Sequence, residues 1–319
     1  MQILNKGVSD ISTSVFIFTG FLESGKTSAI QDVLLKRSIS CNGKSLILCT
    51  ETGEIEYREE FLREKNIEVI FIENQEEFME SSLEEINRKY SPVNVYIEVN
   101  GMWNIKEIMD TGFPSGWKIE NIFSIVNAET YERYRMNMRQ MIMEPLRVSD
   151  VIIFNRCSDN IKKNDIRSGL KIWNPTAEVF FMRKDGSIDS KEEEFALKES
   201  SGQIEIEETL FIPWFVDCIE NTDKYYGKEI RMNAMVANGE ELQKNQFYAG
   251  RMAAICCAED AQYIGFTAEY DGKIPKKGEW IELTAKIDRG VLANNCMIIL
   301  LKVKEWEHIL PPDDRYIYV

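Results

Sequence analysis

The chain has 319 residues, which is more than one average domain needs and enough for two. Its formal net charge of −15 would repel a phosphate backbone, and this excludes general nucleic-acid binding. The chain has neither an apolar run of the roughly 18 residues that a membrane-spanning helix needs nor a signal peptide at its start, so we expect a cytoplasmic protein without membrane insertion.

The first half of the chain alternates apolar, strand-like runs with helical stretches. The predicted strands are Val15–Thr19, Ser45–Thr50, Glu68–Ile72, Val93–Val99, Asn121–Asn127, Asp150–Asn155 and Glu178–Met182. The predicted helices are Lys26–Lys36, Tyr57–Lys65, Phe78–Lys89, Ile105–Thr111 and Tyr131–Val148. Because continuously apolar strands that alternate with helices are typical of buried parallel sheets, this half predicts an α/β fold with helices on both faces.

The composition changes in the second half. Residues 185–208 hold nine acidic residues against two lysines and are interpreted as a solvated acidic linker. Five segments of alternating polarity follow, and three of the four turns between them contain glycine: Glu229–Ala237, Phe247–Cys256, Tyr263–Tyr270, Trp280–Ile287 and Met297–Trp306. They predict a small antiparallel β-barrel, OB-like, as a second domain at 209–319 behind a first domain at 1–184.

The strongest motif lies between the first predicted strand and the first predicted helix. Gly20–Thr27 reads GFLESGKT and fits G-x-x-x-x-G-K-[ST], the phosphate-binding P-loop. Its backbone N–H groups would surround the phosphates, Lys26 would reach the β- and γ-phosphates, and the Thr27 hydroxyl would ligand Mg²⁺. The flanking strand and helix favour this interpretation over a chance match in a turn. The nucleotide-binding residues predicted here are Gly20, Glu23, Ser24, Gly25, Lys26, Thr27 and Ser28.

The string TGFLESGKTS resembles the P-loop of the CobW-type GTPases, which are relatives of the nickel-enzyme GTPases. The resemblance covers roughly residues 13–182, and Glu23 stands where the family's loop usually has glycine. It implies a P-loop NTPase domain that binds guanine nucleotide with Mg²⁺, hydrolyses it slowly and takes part in metal or cofactor homeostasis.

The family's switch stretch, N-E-F-G-E, is matched after the second strand by Thr50-Glu51-Thr52-Gly53-Glu54, where Thr50 replaces the asparagine. The aspartate that normally follows has no clear match, and Tyr57, Arg58 and Glu59 stand in its neighbourhood. The resemblance makes Glu51 and Glu54 candidates for positioning the attacking water.

Glu98 begins the stretch Glu98-Val-Asn-Gly101, which matches the family's E-x-[ST]-G after a long apolar strand. A carboxylate here could hold Mg²⁺ together with Thr27, or orient the attacking water. A glutamate at a strand end is more often a solvated edge residue, and the P-loop nearby favours the functional interpretation. The predicted catalytic set is Lys26, Glu98, Glu51 and Glu54.

The family reads guanine with an N-K-x-D element, which is altered in this chain. The matching residues are Asn155-Arg156-Cys157-Ser158-Asp159, so that Ser158 takes the aspartate position and Asp159 comes one residue late. Asp159 can reach the base only if the loop bulges. The predicted base-binding residues are Asn155, Arg156 and Asp159, and the choice between GTP and ATP stays open.

The family's C-x-C-C motif is missing, and the corresponding stretch carries the carboxylates Glu73, Glu76 and Glu77. A second candidate metal site is the pair Cys256 and Cys257, since thiolates select Zn²⁺ or another transition metal. Alternation along a strand makes core packing the competing interpretation of the pair.

Residues 210–319 resemble the C-terminal domain of the YcgQ-type membrane-associated bacterial proteins, which sit beside predicted permeases. The matching stretches are Tyr226–Arg231, Lys244–Phe247, Arg251–Asp260, Glu269–Asp271, Gly278–Ile281 and Pro311–Tyr318. Two hypotheses follow. The chain is a GTPase switch that serves a client metalloprotein, alone, as a homodimer or with a partner, or it is a nucleotide-sensing adaptor whose barrel docks on a permease.

Overall fold

The computed structural model describes residues 12–36, 43–51, 53, 56–190, 197–200, 202–255, 258–292 and 296–318. The chain divides into two compact units. The first unit comprises the described residues up to Ile161 together with Thr176–Ser190, and the second comprises Lys162–Pro175 together with the described residues from 197 onward. Within the described part of the chain, no helix combines the length and apolarity needed to cross a bilayer.

The first unit is built on a seven-stranded parallel sheet, which confirms the predicted α/β fold. Its strands are β1 (Thr13–Thr19), β2 (Ser45–Cys49), β3 (Ile67–Phe71), β4 (Asn94–Glu98), β5 (Trp117–Asn127), β6 (Val151–Cys157) and β7 (Glu178–Arg183). Its helices are α1 (Lys26–Lys36), α2 (Glu59–Glu64), α3 (Glu80–Tyr90), α4 (Ile105–Asp110), α5 (Ala128–Asn137) and α6 (Arg139–Val148). The strand order is β3-β2-β4-β1-β5-β6-β7.

Alternate residues of the central strands serve two separate cores, one on each face of this sheet. Phe16 and Phe18 pack with residues of α1 and α2, whereas Val15 and Ile17 pack with residues of α3 and α4. Strand β1 lies in the middle, where the chain order changes direction between β4 and β5. In open α/β sheets ligands bind at the carboxyl ends of the strands at such a point, and the P-loop begins there.

The predicted helix Tyr131–Val148 is in fact two helices, which meet at Met138. The Asn137 amide Nδ2 donates to the backbone oxygen of Arg133 at 2.7 Å. A side chain thus provides a hydrogen bond to this helix carbonyl. Such local side-chain bonds compete with the helical pattern and favour an end at this position. A period-based prediction of helix length cannot detect this competition.

The second unit contains a closed five-stranded barrel. Its strands follow the order β10 (Glu229–Ala237), β11 (Gln246–Ala254), β12 (Gln262–Glu269), β14 (Met297–His308) and β13 (Trp280–Val291), and β13 closes the ring on β10. All five predicted barrel strands are confirmed. The ring departs from the predicted antiparallel arrangement at one place, because β12 and β14 pair in parallel.

Further strands and helices extend this barrel. Within the predicted acidic linker, β8 (Lys198–Ser200) pairs with β9 (Gln203–Ile206), and β9 continues the sheet beside β10. β15 (Tyr316–Tyr318) adds to β11. The remaining helices are α7 (Lys163–Trp173), α8 (Phe211–Glu220) and α9 (Thr222–Tyr225). Helix α7 lies between β6 and β7 in the chain yet packs on α8 in the second unit.

Arg251 is a fully buried cation in the barrel. Its Nη1 donates to Glu208 at 2.9 Å, and its guanidinium lies 4.9 Å from the ring centre of Trp280. Glu208 itself is half exposed, so it can rehydrate if its partner is lost.

We expect Arg251→Ala to lower the free energy of unfolding by about 2 kcal/mol, because the truncation leaves a cavity beside Trp280. Arg251→Met restores most of the volume without the charge and should lie close to wild type. Urea unfolding of the full chain, followed by tryptophan fluorescence, measures both. Equal losses in the two variants would show that the ion pair matters more than the packing.

Candidate functional site

The loop between β1 and α1 has the backbone conformation that a phosphate cradle needs. Gly20 has a φ of +142° and Gly25 a φ of +99°, both in the region that favours glycine. A Cβ on Gly20 would lie 2.1 Å from the backbone oxygen of Ile125, so no larger residue fits there. The loop then enters α1 at Lys26, and this directs the helix N-terminus, with its partial positive charge, toward the loop.

Glu23 also takes a left-handed conformation, with a φ of +60°. This is the position at which the resembled P-loops have glycine, and the conformation explains that preference physically. A non-glycine residue pays a conformational cost of about 1 kcal/mol in this region. The side chain of Glu23 is exposed, so the glutamate is accommodated without steric conflict.

Lys26 is buried beneath the loop, with 2% of its side chain exposed. Its Nζ donates to the backbone oxygens of Gly20 at 2.7 Å and Phe21 at 3.1 Å, and it forms an ion pair with Glu51. The Glu51 carboxylate also accepts the backbone N–H of Gly101 at 3.3 Å. The structure therefore brings the predicted switch carboxylate Glu51 directly onto the P-loop lysine.

Glu98 lies at the end of β4 and is 3% exposed, so it is not a solvated edge residue. The Thr27 hydroxyl donates to Glu98 Oε1 at 2.6 Å, and the Tyr57 hydroxyl donates to Oε2. The Cys49 thiol lies 3.7 Å from the same Oε2. Three side chains from three other segments thus meet at the Glu98 carboxylate beside the P-loop.

The groups around Glu98 stay protonated. Burial, followed by the negative charge of Glu98, raises the pKa of the Cys49 thiol to about 12. The same two causes raise the pKa of the Tyr57 hydroxyl well above its ordinary value. Because the Thr27 hydroxyl donates its proton to Glu98, its oxygen keeps lone pairs for a hard cation, and this donor set fits Mg²⁺.

The altered N-K-x-D element contains a β-bulge. Between Phe154 and Cys157 the register of β6 against β7 shifts by one residue, and Arg156 has a φ of +55°. The Asn155 amide Nδ2 donates to the backbone oxygen of Ser24 at 2.6 Å, and Arg156 Nη1 donates to that of Glu23 at 3.1 Å. Both residues are therefore tied to the P-loop.

Two buried polar atoms at this junction have no protein partner within the described residues, namely Ser24 Oγ and Asn155 Oδ1. Buried polar atoms are normally hydrogen-bonded, so these two mark where a polar ligand fits. A cavity of about 480 Å³ opens beside Asn155 and is lined by Gly25, Ser28, Asn155 and Arg156, among others. Asp159 is exposed, and its carboxylate lies 3.7 Å from Arg183 of β7.

Glu54, Cys256 and Cys257 lie outside the described residues. Among the residues that the structure describes, no group of three or more His, Cys, Asp or Glu side chains could hold a metal ion. Cys218 is buried in α8, where burial raises the pKa of its thiol to about 12.

Tyr57 and Gly101 are contacts that the sequence interpretation did not place in the site. In the sequence Tyr57 stands only near the position of the missing aspartate, and no motif spacing indicates that its hydroxyl contacts the site. Gly101 closes the Glu98–Gly101 match and could have been found from it. A Cβ there would lie 2.5 Å from the backbone oxygen of Gly20 and 2.6 Å from Phe21 Cα.

Comparison with known proteins gives two family matches. Residues 14–180 match the nucleotide-binding domain model described as CobW/HypB/UreG, and residues 181–319 match the DUF1980 C-terminal domain. The UPF0703 protein YcgQ of Bacillus subtilis (strain 168) is 24% identical over 166 residues, which cover 50% of this chain and 56% of that protein. The chain therefore spans about half the length of this curated relative.

Solved structures show more distant similarity. Hydrogenase maturation factor HypB from Archaeoglobus fulgidus has 18% identity and a TM-score of 0.39, over 55% of this chain and 83% of that one. Zn(II)-bound YjiA GTPase from E. coli has 13% identity and a TM-score of 0.41, over 91% of this chain and 89% of that one.

Proposed function

Because the chain belongs to the CobW/HypB/UreG nucleotide-binding domain family, we propose that it binds GTP with Mg²⁺ and hydrolyses it slowly, as a switch in metal or cofactor homeostasis. The observation that carries the proposal is the meeting of the P-loop with Glu98. Lys26, Thr27 and Glu98 converge at the carboxyl ends of β1 and β4, beside a loop in which Gly20 and Gly25 have a positive φ.

Each of these groups has a role that follows from its chemistry. Lys26 would turn from Glu51 toward the β- and γ-phosphates and neutralise their charge. Thr27 and Glu98 would hold Mg²⁺, which would supply further charge neutralisation at the phosphates. Glu51, released from Lys26, and Glu54 are the carboxylates proposed to orient the attacking water. Asn155, Arg156 and Asp159 are proposed to contact the base.

Glu98→Gln tests the hydrolytic part of this proposal. The amide keeps the size of the side chain but loses the charge, and its nitrogen cannot accept the hydroxyl proton of Tyr57 or Thr27. We expect Mg²⁺-dependent phosphate release to fall by about tenfold or more, with a higher Mg²⁺ requirement. Phosphate release from GTP across a Mg²⁺ titration measures it, and Glu84→Gln on the exposed face of α3 is the control. Unchanged Mg²⁺ dependence would remove Glu98 from the site.

The match of residues 181–319 to a DUF1980 domain favours the second hypothesis, a nucleotide-sensing adaptor with little hydrolysis. In that case the wild type binds GTP but releases little phosphate, and the barrel docks on a permease or another partner. We interpret this barrel as OB-like, since five strands close in a non-sequential order. A client metalloprotein, a homodimer, a cytoplasmic location and Zn²⁺ or another transition metal at Cys256 and Cys257 remain parts of the proposal.

A further inference from the structure

The turn that follows β7 holds Arg183 in a fixed backbone position. Its N–H donates to the backbone oxygen of Ser187 at 2.9 Å, and the N–H of Gly186 donates back to the oxygen of Arg183 at 3.0 Å. Gly186 has a φ of +81°, which a tight turn of this kind requires. The N–H of Asp189 then returns to Phe181 of β7 at 2.8 Å. The backbone of Arg183 is therefore held by hydrogen bonds to the residues of the turn that follows it.

The side chain of Arg183 is anchored as well. Its Nη2 donates at 3.3 Å to the carboxylate of Asp189, whose side chain is only 4% exposed. The same Nη2 lies 3.7 Å from Asp159, while 44% of the Arg183 side chain remains exposed. A guanidinium has five donors in a rigid plane, so one anchored edge leaves other donors to bind a ligand at a small entropic cost.

Arg183 lines the 480 Å³ cavity that also reaches Gly25 and Ser28 of the P-loop and Asn155 of the base-binding element. Of the charged side chains on this wall, Arg156, Arg183 and Lys184 are cationic and Asp32 is anionic. The excess of donors suits a ligand edge that is rich in acceptors. Guanine presents two adjacent acceptors, O6 and N7, whereas adenine presents a donor at N6 beside N7.

We infer that Arg183 is a specificity-determining residue, which donates to O6 and N7 of a guanine base held in this cavity. The inference rests on the proposed nucleotide binding and deepens it. Arginine matches this pair of acceptors with two parallel N–H groups and would meet a repelling donor on adenine. Preference for GTP over ATP thus survives although Ser158 replaces the usual aspartate.

The test compares GTP, ATP and 7-deaza-GTP, which lacks the N7 acceptor, by calorimetric titration with Mg²⁺ into the full chain. We expect the wild type to bind GTP about tenfold more tightly than 7-deaza-GTP, which is the lower range for a bidentate arginine–guanine contact. Arg183→Gln should bind the two alike and should lose about tenfold of its preference for GTP over ATP. Lys184→Gln is the matched control, because it removes a neighbouring cation of the same cavity and should keep both preferences.

Arg183→Lys guards against a folding defect, since it keeps a cation for Asp189 but replaces the planar pair of donors with one ammonium group. An ammonium can still donate to N7 and O6, so Arg183→Lys should keep part of the preference for GTP over 7-deaza-GTP that Arg183→Gln loses. A wild type that binds GTP, ATP and 7-deaza-GTP equally would overturn the inference and leave the proposed nucleotide binding intact. An Arg183→Gln protein that keeps the wild-type preference for GTP over both ATP and 7-deaza-GTP would also overturn the inference. A wild type that binds no triphosphate would overturn the proposed function itself.

Discussion

Replacing Lys26 by alanine should lower the affinity for GTP about 100-fold, because one charged hydrogen-bond donor to the phosphates contributes roughly 1.5 to 3 kcal/mol. The loss is larger than for a surface lysine, since Lys26 is buried under the loop with Glu51 as its ionic partner. Calorimetric titration of GTP and Mg²⁺ measures it. Lys44→Ala, a partly exposed lysine paired with Glu68, is the control and should bind like wild type.

The pairing of Lys26 with Glu51 allows a sharper form of this experiment. In Lys26→Ala the Glu51 carboxylate loses its cation and faces the incoming phosphates, and like charges repel. The double variant Lys26→Ala, Glu51→Gln should therefore recover part of the lost affinity, about tenfold. If Lys26→Ala alone binds GTP as tightly as wild type, the assignment of this loop as the phosphate site is wrong.

Gly101→Ala should damage the first unit although it adds only one methyl group. The added Cβ would meet backbone atoms of Gly20 and Phe21 at 2.5 and 2.6 Å, and neither can move without shifting the P-loop. Overpacking of this kind costs about 3 kcal/mol, so we expect a clear fall in thermal stability together with weaker GTP binding.

Gly53→Ala is the matched control for this substitution. A Cβ on Gly53 meets no described residue within 4 Å, and its backbone does not lie in the left-handed region. The control should therefore unfold at the temperature of the wild type in a thermal melt. Equal stability of Gly101→Ala and Gly53→Ala would contradict the close approach of the two loops.

Much of the fold could be predicted because its signals are local. Continuously apolar runs marked the parallel strands, and alternation marked the barrel strands so closely that β10 was predicted with its observed ends, Glu229–Ala237. Helix α8 was missed because Phe211–Glu220 is a short segment that is apolar over most of its length, and such a run does not distinguish a helix from a strand. The parallel pairing of β12 with β14 depends on contacts between distant segments, which periodicity does not report.

The candidate site, like the fold, could be predicted only where its residues form a local sequence pattern. The P-loop was found because glycine, lysine and threonine stand at fixed spacing in one turn, and Glu98 because a carboxylate ends a buried strand. Three features of the site could not be predicted, because no local sequence pattern indicates them. They are the contact of Glu51 with Lys26, the hydrogen bond from Tyr57 to Glu98, and the position of Arg183 at the cavity. They arise only when the carboxyl ends of several strands come together.

The placement of α7 in the second unit has a practical consequence for dissecting the protein. The chain leaves the first unit after Ile161, builds one helix of the other unit, and comes back at Thr176 before it leaves again. A truncated fragment that stops near residue 184 would keep this helix but lose α8 and the barrel core on which Ile172 packs. Such a fragment would expose the apolar face of α7 that α8 and the barrel normally cover. If the fragment is insoluble, the reason would be this exposed face and not an unstable nucleotide-binding fold.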